Sequence, residues 1–189
     1  MSIADDLAAA SIGSTFNFYR DGEGAEVRRT RLRDYLRVKD DAPLLLVAEA
    51  PGYRGTRISG VPLTSERQLS GSGPQEATAT IVHRALAALG LEDETLLWNV
   101  VPTHPHLPGL PETNRRPTRA EVEASRPFLE RLAGGRRVVP VGRVAHAVLG
   151  GEYMRHPSHG GAVEFCEGLR RIVLRRPRCS EVKRKCPEQ

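Results

Sequence analysis

Apolar residues concentrate in four short stretches, and the segments between them are either amphipathic or rich in turn residues. "LLLVAEA" (44–50), "TLLWNVV" (95–101), "RRVVPVG" (136–142) and "GLRRIVLRR" (168–176) each predict a strand. "TATIVHRALAALG" (78–90) places Ile81, Val82, Ala85, Leu86 and Leu89 on one helical face, with Gly90 as a stop. "TRAEVEASRPFLERLAGG" (118–135) opens with Thr118 and Glu121 at capping-box spacing and turns Leu129 and Leu132 inward. Pro127 predicts a kink or a restart in that helix. "RVAHAVLGG" (143–151) reads as a short helix. "EVRRTRLRDYLR" (26–37) reads as a helix with Val27, Leu32, Tyr35 and Leu36 inward and arginines outward. Residues 56–76, rich in Gly, Ser, Thr and Pro, and residues 102–117, with five prolines, read as loops.

Apolar strands separated by helices predict an α/β fold, with a parallel sheet covered on both faces. Ligands of such sheets bind beyond the C-terminal ends of the strands. Three polar, turn-rich segments emerge there: "EAPGYRG" (49–55), "NVVPTHPH" (99–106) and "RHPSHGG" (155–161). The shared rim therefore offers Glu49, Tyr53, Arg54, Asn99, His104, His106, His156, Ser158 and His159. No G-x-x-x-x-G-K-[ST], G-x-G-x-x-G or G-x-S-x-G occurs, which disfavours the corresponding nucleotide and acyl-transfer chemistries. Asn99, closing a buried strand, presents a donor and an acceptor side by side, a match for the edge of a pyrimidine. The histidines allow a second reading, a metal site built from His104, His106, His156 and His159.

Composition narrows the setting. The chain of 189 residues is expected to form a single domain (1–189), with a core at 43–176, an N-terminal extension at 1–42 and a basic tail at 177–189. Apolar content of 39% and charged content of 27% suit a globular protein. No apolar run approaches membrane-spanning length, and "MSIADDLAAA" has acids where an export signal needs bases. Cys166, Cys179 and Cys186 form no C-x-x-C pair and read as free thiols of a cytoplasmic protein. Net charge is +5, and residues 170–189 hold eight Lys and Arg against two Glu. The basic end is suited to phosphate.

"AEAPGYRG" with "GVPLTSE", then "LWNVVPTHPH", then "RHPSHGG", in this order and spacing, resemble the uracil-DNA glycosylase superfamily over residues 43–176. The details are similar to bacterial members with a "GEAPG"-type first motif and no iron–sulfur cluster. The resemblance implies a three-layer α/β/α fold with a central four-stranded parallel sheet. It implies hydrolysis of the N-glycosidic bond of a flipped-out deoxyuridine in DNA, leaving an abasic site, with no cofactor and no metal. The partner is uracil-containing DNA, and a monomer suits an enzyme that scans it.

Residue by residue, the resemblance gives Asn99 the uracil O4 and N3–H, and His156 a hydrogen bond to O2 as the base departs. Backbone N–H groups near Ala50 to Tyr53 would also face O2. Ser158 would hold a phosphate, His159 would enter the gap left by the flipped base, and Arg54, Arg143, Arg155 and the basic tail would contact DNA. Ala48 stands where the first motif commonly has Gly. Ala50 stands where some branches place the water-positioning Asp or Asn, which makes Glu49 the first substitute, ahead of Glu66 and His104. Gly52 replaces a Tyr that excludes thymine, with Tyr53 beside it, and Leu63 replaces a Phe that stacks on uracil. These departures motivate an alternative: a DNA- or uracil-DNA-binding member with little turnover.

Overall fold

The computed structural model describes residues 2–174. In chain order these hold α1 (Ile3–Ala9), α2 (Ala25–Val38), β1 (Leu44–Ala48), α3 (Thr56–Ser59), α4 (Glu66–Ser70), α5 (Ala77–Ala88), β2 (Thr95–Asn99), α6 (Arg119–Ala133), β3 (Arg137–Pro140), α7 (Arg143–Leu149) and α8 (Ala162–Leu174). The sheet is parallel in the order β2-β1-β3, with Leu46 opposite Leu97 on one side and Val139 on the other. Every residue of β1 and β2 is buried, so neither strand alternates polar with apolar.

Strand pleat sorts these side chains into two cores. Leu45, Val47, Leu96 and Trp98 pack with Leu7, Phe18 and Leu32 and with Phe128 and Leu132 of α6. Leu44, Leu46, Ala48 and Leu97 pack with Val82 and Leu86 of α5 and with Phe165, Leu169 and Ile172 of α8. Helices therefore cover both faces, giving the three expected layers. The chain leaves β1 toward the α5 face, whereas after β3 it enters α7, whose Ala145 joins the other core. Neighbouring strands whose exits part to opposite faces leave a crevice at their C-terminal ends.

The sheet has three strands among the described residues, not four. Residues 168–174, expected in a strand, belong to α8. Buried Phe165, Leu169 and Ile172 follow helical spacing, and that face seals the second core. Beside β3 a single parallel bridge joins Val141 to Met154, two residues before His156. Residues 56–76 contain α3 and α4 instead of a continuous loop, the latter opened by a Ser65–Gln68 capping box. The Thr118–Glu121 box caps α6, which continues through Pro127 without restarting. Residues 175–189, with the whole of the basic tail at 177–189, lie outside the described residues.

The N-terminal segment is built into the body. Phe18 and Tyr19 are fully buried, and the Tyr19 hydroxyl donates to the Gly60 carbonyl at 3.0 Å. The Tyr35 hydroxyl accepts from the Leu97 N–H of edge strand β2 at 2.6 Å, occupying a donor that a bare edge would expose. Among the described residues no helix is long and apolar enough to cross a membrane.

Candidate active site

A cavity of about 360 Å³ opens at the crevice between the strand ends. Ala48, Glu49, Ala50 and Gly52 line it from the exit of β1, Asn99 from the end of β2, and His156, Ser158 and His159 from the segment after the Met154 bridge. Asn99 and His156, far apart in sequence, thus face one space.

Asn99 is 2% exposed, and its Oδ1 is buried with no hydrogen-bond partner. An amide oxygen left so in a protein interior is free to accept from a ligand that brings its own donor. His156 is oriented from behind. The Ser158 backbone N–H donates to its Nδ1 at 3.2 Å, and the Ser158 hydroxyl lies 2.7 Å from the same atom. A backbone N–H can only donate, so Nδ1 accepts and the ring proton of the neutral imidazole resides on Nε2. Burial, then the positive fields of Arg155 and His159, hold the His156 pKa below its ordinary value and keep it in that neutral form. Gly142, at φ +90°, backs the ring; a Cβ there would sit 3.2 Å from that of His156.

Two non-glycine residues in the described chain have positive φ, Leu63 and His159, both at 51°, and both line the cavity. Such backbone is held only where its surroundings over-determine it. For Leu63 one restraint is visible: its N–H donates to Thr56 Oγ1 at 3.0 Å. Glu49 lines the cavity half-buried. Burial raises its pKa, and Arg116 partly opposes the rise.

Other predicted site residues lie elsewhere. Tyr53 does not line the cavity: its ring covers the Arg57 guanidinium at 4.5 Å, and its N–H is held by Asn114 Oδ1 at 2.9 Å. Thymine exclusion by Tyr53 therefore has no geometric basis. Arg54 is exposed on a neighbouring depression shared with Tyr53 and Glu112. Arg155 reaches the His159 carbonyl at 3.4 Å outside the cavity, and Arg143 is exposed and does not line it. Ser158, expected to hold a phosphate, has both its N–H and its hydroxyl on His156 Nδ1. Glu66 forms a two-pronged ion pair with Arg31 and does not reach the cavity. His104 is fully buried, with Nδ1 2.9 Å from the Pro51 carbonyl and Nε2 3.2 Å from that of Pro111. Both partners are acceptors and burial lowers its pKa, so the neutral ring donates to one of the two carbonyls, and the buried ring does not line the cavity. Among the described residues no three His, Cys, Asp or Glu side chains are grouped to hold a metal, so the four histidines do not form the cluster that the metal reading needs.

The structure adds cavity residues absent from the sequence expectations: Glu76, Thr78, Asn114, Arg115 and Arg116. The two arginines were signalled by "NRRP" directly before the capping box of α6.

The family model of the uracil DNA glycosylase superfamily matches residues 37–184. The chain belongs to this superfamily. No curated protein matches it. Among solved structures, wild-type SMUG2 of Pedobacter heparinus is similar over 92% of this chain and 99% of that one, with a TM-score of 0.64 at 12% identity. That likeness is one of fold. Members of the uracil DNA glycosylase superfamily are DNA glycosylases, so the cavity lies in a scaffold whose substrate is DNA.

Proposed function

We propose that the protein is a monofunctional uracil-DNA glycosylase that hydrolyses the N-glycosidic bond of an extruded deoxyuridine and leaves an abasic site. The observation that carries this reading is the partnerless, buried Asn99 Oδ1 in a cavity shared with His156. Uracil N3–H supplies the donor that Oδ1 lacks, and O4 accepts from the amide N–H. Cytosine offers an unprotonated ring nitrogen and an amino group there, opposed to both. Nε2–H of His156 then donates to O2 as negative charge develops on the departing base.

The test is release of uracil from a defined oligonucleotide by the wild type and by Asn99→Asp. A carboxylate cannot donate to O4, so uracil release is expected to fall about 100-fold or more. It can accept from the cytosine amino group, so the uracil-over-cytosine preference shrinks. Unchanged uracil release in the variant, or none from the wild type, rejects the reading.

Glu49 is the proposed partner of the attacking water in place of the side chain that Ala50 lacks. As a base it must be ionised, so the rate should rise with pH through a pKa above the ordinary carboxylate range. In Glu49→Gln the rate is expected to fall about 100-fold and that rise to vanish. A Gln variant that keeps the wild-type profile removes Glu49 from the role.

Ala50 and Leu63 favour a second reading, uracil-DNA binding with little turnover. It predicts a gel shift on uracil-DNA without an alkali-labile site.

A further inference from the structure

The side chain of Glu76 occupies ground that the first motif leaves open. Glu76 is the N-cap of α5, and its N–H donates to Ser65 Oγ at 2.8 Å, which fixes its backbone. From there the side chain lies over two glycines of "PGYRG". A Cβ added to Gly52 would come within 2.8 Å of Oε1, and one added to Gly55 would overlap Oε2. The carboxylate thus occupies space that a side chain at either position would enter, and a larger residue at position 52 would have to turn it aside. The same side chain lines the cavity with Leu63, Thr78 and Asn99. Among the described residues its carboxylate has neither an ion pair nor a hydrogen bond, and burial alone raises its pKa.

A pyrimidine has one polar edge and one C–H edge. With the polar edge on Asn99 and His156, the C5–C6 edge turns to the rest of the wall, where Gly52 and Glu76 meet. We propose that Glu76 sets which base the cavity accepts: its carboxylate meets the C5 edge, taking a hydrogen bond from a donor there and rejecting a methyl group. This rests on the uracil reading above. A 5-methyl group strips water from the carboxylate and returns no hydrogen bond, an uncompensated desolvation. A 5-hydroxymethyl group, larger by one oxygen, returns it. Discrimination against thymine would then come from polarity where relatives with Tyr at this position use bulk.

The experiment compares uracil, thymine and 5-hydroxymethyluracil, each opposite guanine in one duplex. Single-turnover release is measured, and affinity is measured on the 2′-fluoro-arabino forms, which resist hydrolysis. Wild-type protein is expected to favour 5-hydroxymethyluracil over thymine about 10- to 100-fold in both readouts. In Glu76→Ala that ratio collapses toward one, whatever the change in uracil release itself. Glu76→Gln keeps the volume and one acceptor oxygen, so it retains part of the preference and controls for folding. A wild-type ratio near one, or variants in which all three bases shift together, overturns the proposal. If the wild type releases no base, the uracil reading fails by itself. The affinity ratio on the resistant duplexes still decides the role of Glu76, and failure to bind any of them overturns both.

Discussion

Replacing His156 by alanine is expected to slow uracil release about 100- to 1000-fold, the loss typical of one preorganised donor to a developing anion. The effect should fall on kcat and leave KM nearly unchanged, because the hydrogen bond strengthens as the base gains charge. Three features prepare the donor before substrate arrives. The Ser158 N–H fixes the tautomer from behind, Gly142 admits the ring at close range, and burial keeps it uncharged. The pH profile provides a second check. A folded pKa below the ordinary value of 6.5 means that the neutral ring persists as pH falls through about 6.5 and is lost only at lower pH. A wild-type rate that fell with a midpoint above 6.5 and tracked His156 would contradict this arrangement. So would an alanine variant with wild-type kcat.

Glu121→Ala is expected to destabilise the fold by about 3–5 kcal/mol, read from the urea midpoint at neutral pH. Glu121 is 1% exposed. Its two oxygens take Arg115 Nη2 at 2.6 Å and Nη1 at 2.8 Å, and one also accepts the Thr118 N–H at 2.8 Å. Burial by itself would raise its pKa; Arg115 and the Thr118 amide more than offset that and hold it at about 2. Removing the carboxylate leaves a largely buried guanidinium without a counter-charge and the Thr118 N–H without its acceptor, while the Thr118 hydroxyl still caps α6. Because the folded pKa is depressed, the contribution is complete above about 4.5 and disappears as pH falls toward about 2. Glu121→Gln, which keeps an acceptor for the Thr118 amide, should lose less stability and show a shallower acid slope. A stability within about 0.5 kcal/mol of wild type in the alanine variant would refute the account. Arg115 also donates to the His106 carbonyl at 2.9 Å and lines the cavity, so the variant should bind DNA less tightly as well.

The parts of the fold set by local pattern were legible. The cores of β1, β2 and β3, the apolar face of α5 and the cap of α6 all follow from periodicity and a short-range motif. The misreading at 168–174 has a definite cause. "RIVL" looks like a strand in isolation, and only Phe165, upstream of the window, completes the helical spacing with Leu169 and Ile172. Short helices such as α3 and α4 have too few residues for a period to be visible. Phe18 and Tyr19 are buried by long-range packing that no nearby residue announces.

The site divides along the same line. That Asn99 and His156 share a cavity was legible because the segments leaving the C-terminal ends of one parallel sheet gather on one rim. The placement of Tyr53 and Arg54 was not, because position in a loop does not fix the direction of a side chain; Arg57 and Asn114 turn Tyr53 aside. Glu76 and Arg116 enter the cavity from the start of a helix and from a proline-rich loop, and only tertiary structure sets either approach.

His104 is a rivet through the mouth of the molecule. With its proton on Nδ1, the buried imidazole donates to the Pro51 carbonyl and ties the turn after the first strand to the turn after the second, and its own backbone is zipped to Phe16 through two hydrogen bonds. These turns cannot yield independently, so the mould for the extruded nucleotide is cast before the encounter. On the proposed reading, the work of reshaping on contact then falls on the DNA and not on these turns.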